Sequence, residues 1–140
     1  MKREWAPQLL SVLRIVLAYL LIQAGTIKLF GFPAPLPPGV TIPVGSLAWV
    51  AGMLEVIGGP LILLGVFTRP VAFILAGEMA VAYFYGHARM GHWLWPVANM
   101  GHPAVIFCFL FLYISAAGPG PWSLDARLAR RRASTAPVAE

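Results

Sequence analysis

Residues Ser46 to Phe67 read SLAWVAGMLEVIGGPLILLGVF, with Glu55 as the sole charged side chain. A helix of roughly 20 apolar residues crosses the hydrocarbon layer of a bilayer, and this stretch has that length. Apolar and polar residues do not alternate along it, as they must in a barrel strand. It therefore predicts a membrane-crossing helix with a carboxyl group near mid-depth. The flanking sequence repeats the pattern. Upstream, LLSVLRIVLAYLLIQAGTIKLF (Leu9 to Phe30) forms a first helix starting near Pro7, whose missing N–H costs nothing in a first turn. The intervening GFPAPLPPGVTIPVG (Gly31 to Gly45) holds five prolines and predicts a loop. Downstream, Thr68 and Arg69 make a short turn, and Pro70 opens a third helix reaching about Ala88. A fourth starts near Pro103 and ends before Gly118. The expectation is an all-α polytopic membrane protein, an antiparallel bundle of four transmembrane helices.

Composition agrees. Of the 140 residues, 59% are hydrophobic and 11% charged, against about 25% charged in a soluble domain. The formal charge of +5 does not form a groove-sized patch, which argues against nucleic acid. The basic residues sit outside the apolar runs and are densest at Arg127, Arg130, Arg131 and Arg132, so anionic lipid headgroups are the expected partner. The chain divides into a membrane domain, 1–125, and a basic tail, 126–140. Cys108 is the only cysteine, which excludes an internal disulfide and a CxxC redox pair. The first apolar run is too long for the core of a secretory signal, so no signal is expected.

Basic residues also set a direction. Lys2, Arg3, Arg14, Arg69, Arg127, Arg130, Arg131 and Arg132 fall on one side, and Lys28 and Arg89 on the other, which accounts for all 10. This bias places both termini in the cytoplasm of a bacterial or archaeal cell. Trp49, Trp93 and Trp95 then lie at the outer boundary, with Trp5 and Trp122 at the inner one, where indoles prefer to sit.

Chemistry concentrates in the outer half. Counted along their helices, Glu55 and Glu78 reach similar central depth, and a carboxylate facing lipid there costs several kcal/mol, so both should point inward. Gly52, Glu55 and Gly59 share one face of the second helix, and Pro60 interrupts its hydrogen bonding nearby. Glu78, Ala82 and Tyr85 share a face of the third, with Arg89 beyond. Two readings stay open for the glutamates: structural glue, sharing a proton or bonding to Gln23, a tyrosine or backbone; or proton transfer and ligand holding. The segment GHARMGHWLWPVANMGHP (Gly86 to Pro103) carries His87, His92 and His102. Their spacing matches no compact metal motif, and none lies deep enough for an internal haem, so neither metal nor haem is expected. His87 is a candidate rim acid or base. Tyr85, Arg89 and Trp95 are candidate ligand contacts near a pocket mouth.

Arg14, the GTIKLFG of Gly25 to Gly31, the GMLEVIGGPLILLGVFTR of Gly52 to Arg69, the third-helix run ending in His87 and the GPGPWSLD of Gly118 to Asp125 resemble the DoxX family. The likeness covers about Arg14 to Asp125. It implies a small four-helix membrane protein, similar in some members to a subunit of thiosulfate:quinone oxidoreductase and in others associated with membrane redox or thiol-stress complexes. Arg14, Lys28, Glu55, Arg69 and Asp125 are matched positions, with Glu78 and His87 in the third-helix run. The start of the fourth helix departs from the family pattern, with Asn99, Gly101 and His102 where many members carry an acidic residue.

The resulting expectation is a redox-associated membrane subunit handling a quinone or similar amphiphile, with Glu78, Tyr85 and His87 relaying protons and Glu55 nearby. With no flavin fold or nucleotide loop, electrons need a redox-protein partner. The alternative is a nonenzymatic component that stabilises or recruits a larger assembly, homo- or hetero-oligomeric; a solute transporter is a third. Asp125 is expected to cap the ARLARRR helix or to pair with Arg14 or Arg69.

Overall fold

Over residues 5–135, which the computed structural model describes, every regular element is helical. Helices α1 (Ala6–Phe30) and α2 (Leu47–Leu64) precede α3 (Thr68–Val81), which runs on as a π-helical turn (Ala82–His87) and a 3-10 turn (Ala88–Met90). Then come α4 (His102–Ala117) and a polar α5 (Leu124–Thr135). Three helices, Ala6–Phe30, Leu47–Leu64 and Thr68–Met90, are long and apolar enough to cross a membrane. At 16 residues, α4 is apolar but shorter. Phe73, Ile74, Phe84 and Phe109 are all more than half exposed. Such a surface is expensive in water and suited to acyl chains. The chain is an all-α, multi-pass membrane protein.

Local chemistry fixes the helix ends. Ser46 caps α2, its Oγ accepting from the Trp49 N–H at 3.2 Å. The sequence reading carries this helix to Phe67, but it stops at Leu64. Gly65 turns to φ 69° and closes the end, with the Val66 N–H donating back to the Leu61 carbonyl at 2.9 Å.

Small residues let α1 and α2 approach closely. A Cβ on Gly59 would lie 2.5 Å from Ile22 Cγ1, and one on Gly25 would lie 2.9 Å from Glu55 Cβ. The shared face of Gly52, Glu55 and Gly59 is thus the face applied to α1. Leu21, Ile62, Leu75, Phe111 and Ile114, drawn from four helices, fill the core.

Arg14 and Asp125 act differently from the sequence expectation. Asp125 pairs with neither arginine by hydrogen bond. Its two carboxylate oxygens accept from the N–H groups of Phe67 (3.0 Å) and Thr68 (2.9 Å), the start of α3. Phe67 has left-handed backbone (φ 48°) and offers no side-chain cap, so a carboxylate from a distant segment satisfies these otherwise orphaned donors. The Arg14 guanidinium, wholly buried, donates instead to the carbonyls of Ile62, Leu63 (2.6 Å), Pro119 (2.8 Å) and Trp122 (2.6 Å). It thereby binds α1 to the carbonyl end of α2, where a cation is favoured, and to the GPGPWS segment. Arg69 donates to the Ser115 and Ala116 carbonyls near the end of α4. These two arginines and one aspartate knit one end of the bundle together. Lys2 and Arg3, counted above for orientation, lie outside the described residues.

Candidate functional site

At the opposite end, α2, α3 and the π-helical turn, with Lys28 of α1, line a half-open cavity of about 690 Å³. Its walls are mostly apolar, from Leu47, Leu54, Ile74 and Val81 among others. Five side chains supply its polarity beyond the backbone: Lys28, Ser46, Glu78, Tyr85 and His87. This is the usual make-up of a small-molecule site, an apolar cleft with a few convergent polar groups.

Glu78 is the deepest of these. It is 9% exposed, and neither carboxyl oxygen has a hydrogen-bond partner among the described residues. A buried polar group is nearly always satisfied, so an unpartnered carboxyl on a cavity wall calls for an account.

Glu55 lies behind that wall. Its Oε1 accepts from Lys28 Nζ at 2.6 Å, across 27 positions of sequence, and it is 1% exposed. The partner is therefore neither Gln23 nor a tyrosine but Lys28 of α1. Lys28 occupies both places: its head holds Glu55 while its side chain lines the cavity.

The π-helical turn shapes the rim. Tyr85 shares the Glu78 and Ala82 face by helix period, and over the wider turn of Ala82–His87 both Gly86 and His87 join it in lining the same cavity. Tyr83 turns the other way, is buried, and donates from its hydroxyl to the Trp93 carbonyl. Buried Asn99 ties this corner together. Its Nδ2 donates to the Tyr83 hydroxyl (3.4 Å) and the His92 carbonyl (3.3 Å), and its Oδ1 accepts from the Gly101 N–H (2.9 Å). His87 Nδ1 sits 3.2 Å from the Asn99 carbonyl, which orients the ring. Asn99 is thus a positioning residue.

Of the candidates from sequence, Glu78, Tyr85 and His87 are brought together at the cavity. Glu55 reaches it only through Lys28. Arg89 stacks on Tyr85, 4.1 Å from the ring centroid, over a neighbouring shallow groove. Trp95 is 69% exposed and lines no part of the cavity, because the turn after Met90 carries it outward. His92 and His102 are exposed and line no part of the cavity. Among the described residues, no three His, Cys, Asp or Glu side chains cluster as a metal site. Lys28 and Ser46 were the site residues missed. Ser46 was readable as a helix-capping serine, whereas Lys28 carried only its position one turn from Gly25 and its family match.

Residues 9–88 match the DoxX family. A protein of Haemophilus influenzae, itself uncharacterized, is 42% identical over 123 residues, covering 87% of this chain and 92% of the relative. The inner membrane protein YphA of Escherichia coli is 32% identical over 132 residues, 86% of this chain and 91% of its own length. An uncharacterized membrane protein of Mycobacterium tuberculosis is 29% identical over 141 residues, 91% and 85% of the two chains. No solved structure matches significantly.

Proposed function

The chain belongs to the DoxX family, and from that premise we propose that it is a redox-associated membrane subunit whose outer cavity holds a quinone or a similar amphiphile. The observation that carries this reading is the unpartnered, buried Glu78 on the wall of an apolar cavity large enough for a quinone ring. A quinone supplies two-electron, two-proton chemistry when bound. In the proposed site, Glu78 accepts or returns a proton at a ligand oxygen. His87, at the rim and oriented by Asn99, exchanges that proton with water. Lys28 and Ser46 donate hydrogen bonds to ligand oxygens, and the leucine and valine walls exclude water. Electrons are exchanged with a protein partner.

The proposal includes the bundle itself. Ile22 against Gly59 and Gly25 against Glu55 support an antiparallel α1–α2 pair, and α4, though short, is apolar enough to make a fourth crossing. Residues 1–125 form the membrane unit, and 126–140 a basic tail. The similarity to an inner membrane protein supports a bacterial cytoplasmic membrane, and the basic bias supports cytoplasmic termini. Cysteines introduced at positions 40 and 92 in a Cys108→Ala background should then react with an impermeant reagent from outside, and one at 130 only after lysis. The reverse pattern contradicts this orientation and moves the cavity mouth to the cytoplasmic face.

The cavity itself is tested by Glu78→Gln, which keeps shape and removes the titratable proton. In lipid nanodiscs it should fold normally yet bind a short-chain quinone about tenfold more weakly, the worth of one hydrogen bond to a charged group. Equal affinity for the two proteins contradicts the site. A purely structural or recruiting role, the second reading, predicts that neither protein binds the quinone.

A further inference from the structure

We propose that a second cleft, at the arginine-knit end of the bundle, is a discrete binding site for one anionic glycerophospholipid. Leu63 and Leu64 of α2, Trp122 and Leu124, and Arg127 and Arg130 of α5 line a space of about 430 Å³. The lipid phosphate lies between the two arginines, and one acyl chain runs along Leu64 and Trp122. The site is independent of the quinone reading and about a different end of the molecule.

Three observations carry it. First, Arg127 and Arg130 are three residues apart on α5, so they project from one face, and neither makes an ion pair or side-chain hydrogen bond among the described residues. Second, the groups that would repel a phosphate are already engaged. The carboxylate of Asp125 faces the Phe67 and Thr68 N–H groups. The Ile62 and Leu63 carbonyls, the negative end of the α2 dipole, are covered by the Arg14 guanidinium. Third, the same cleft has an apolar wall: Leu64 and Trp122 are each more than half exposed. A free phosphate satisfies the arginines and leaves that wall bare. A phospholipid covers both, with Trp122 at the headgroup depth that indoles favour.

A bound lipid differs from diffuse attraction of a basic tail in which arginines matter. The full chain in detergent would be titrated with phosphatidylglycerol and, separately, with phosphatidylcholine of identical acyl chains, counting bound lipids by native mass spectrometry. One phosphatidylglycerol per chain should be retained in preference to phosphatidylcholine. The Arg127→Gln/Arg130→Gln variant should lose on the order of thirtyfold in affinity, two arginines' worth near a lipid surface. Arg131→Gln/Arg132→Gln removes the same charge beside the cleft and should lose less than about threefold, since screening weakens distant charges. Glycerol phosphate at millimolar excess should not displace the lipid. Equal losses in the two double variants, equal retention of the two lipids, or displacement by glycerol phosphate would each overturn the proposal. Circular dichroism checks that both variants keep the wild-type helix content, and charge-retaining Arg127→Lys/Arg130→Lys should recover part of the binding.

Discussion

Replacing Arg14 with methionine is expected to destabilise the folded protein by about 3–5 kcal/mol, as for other buried charged groups stripped of their network. Methionine fills similar volume and leaves the chain's apolar contacts in place. What it removes is the donor set for four carbonyls, those of Ile62, Leu63, Pro119 and Trp122. The Ile62 carbonyl keeps the Gly65 N–H at 3.1 Å, and each of the others left buried and unpaired costs about 1–3 kcal/mol. Relaxation or water entry at the bundle end relieves some of that, which holds the total below the simple sum. Lysine at this position should rescue only part. One ammonium has three donors on a flexible stem and cannot reach four carbonyls from two separate segments as a planar guanidinium does. Thermal unfolding in detergent, followed by tryptophan fluorescence, measures the ranking. A methionine variant as stable as the wild type would show that the clasp contributes little.

Lys28→Met should be nearly as damaging, at about 3–5 kcal/mol, because it strands Glu55 as an unpaired buried acid. The diagnostic result is the second substitution. Adding Glu55→Gln to Lys28→Met should restore most of the lost stability, since a neutral amide carries a much smaller desolvation cost. Glu55→Gln alone leaves a lysine that is 28% exposed and able to reach water through the cavity, so it should cost clearly less than Lys28→Met. That asymmetry separates a buried acid held by a cation from an ordinary surface pair, worth about 0–1 kcal/mol whichever partner is lost. Equal costs for the two single variants, with no recovery in the double, would contradict the arrangement.

These two side chains also mark where the sequence stops being informative. The apolar runs and the shared face of Gly52, Glu55 and Gly59 were legible, because helix period and bilayer thickness are local rules. So was the grouping of Glu78, Ala82 and Tyr85 along one helix. The Lys28–Glu55 pair joins two helices across a proline-rich loop, and no spacing rule reaches over that distance. Arg14 binds backbone carbonyls, which every residue has, so its partners leave no mark in residue type. Asp125 looked like a cap for its own helix or a partner for Arg14 or Arg69 and caps α3 instead, because Gly65 and Ser123 pack against each other and bring the two segments together. The π-helical turn was not legible either. His87 faces the cavity and Arg89 lies outside it, while Tyr83 on the same turn is anchored to Trp93 and Asn99.

Whether Glu78 meets a ligand in the cavity can be read directly, because infrared difference spectroscopy observes that carboxyl. Spectra of the protein in lipid nanodiscs would be recorded before and after adding a short-chain quinone. The prediction is a difference band in the carboxyl stretching region on quinone addition that is absent in Glu78→Gln and retained in Glu55→Gln. A quinone-induced band that survives in Glu78→Gln, or no band in the wild type at saturating quinone, would contradict it.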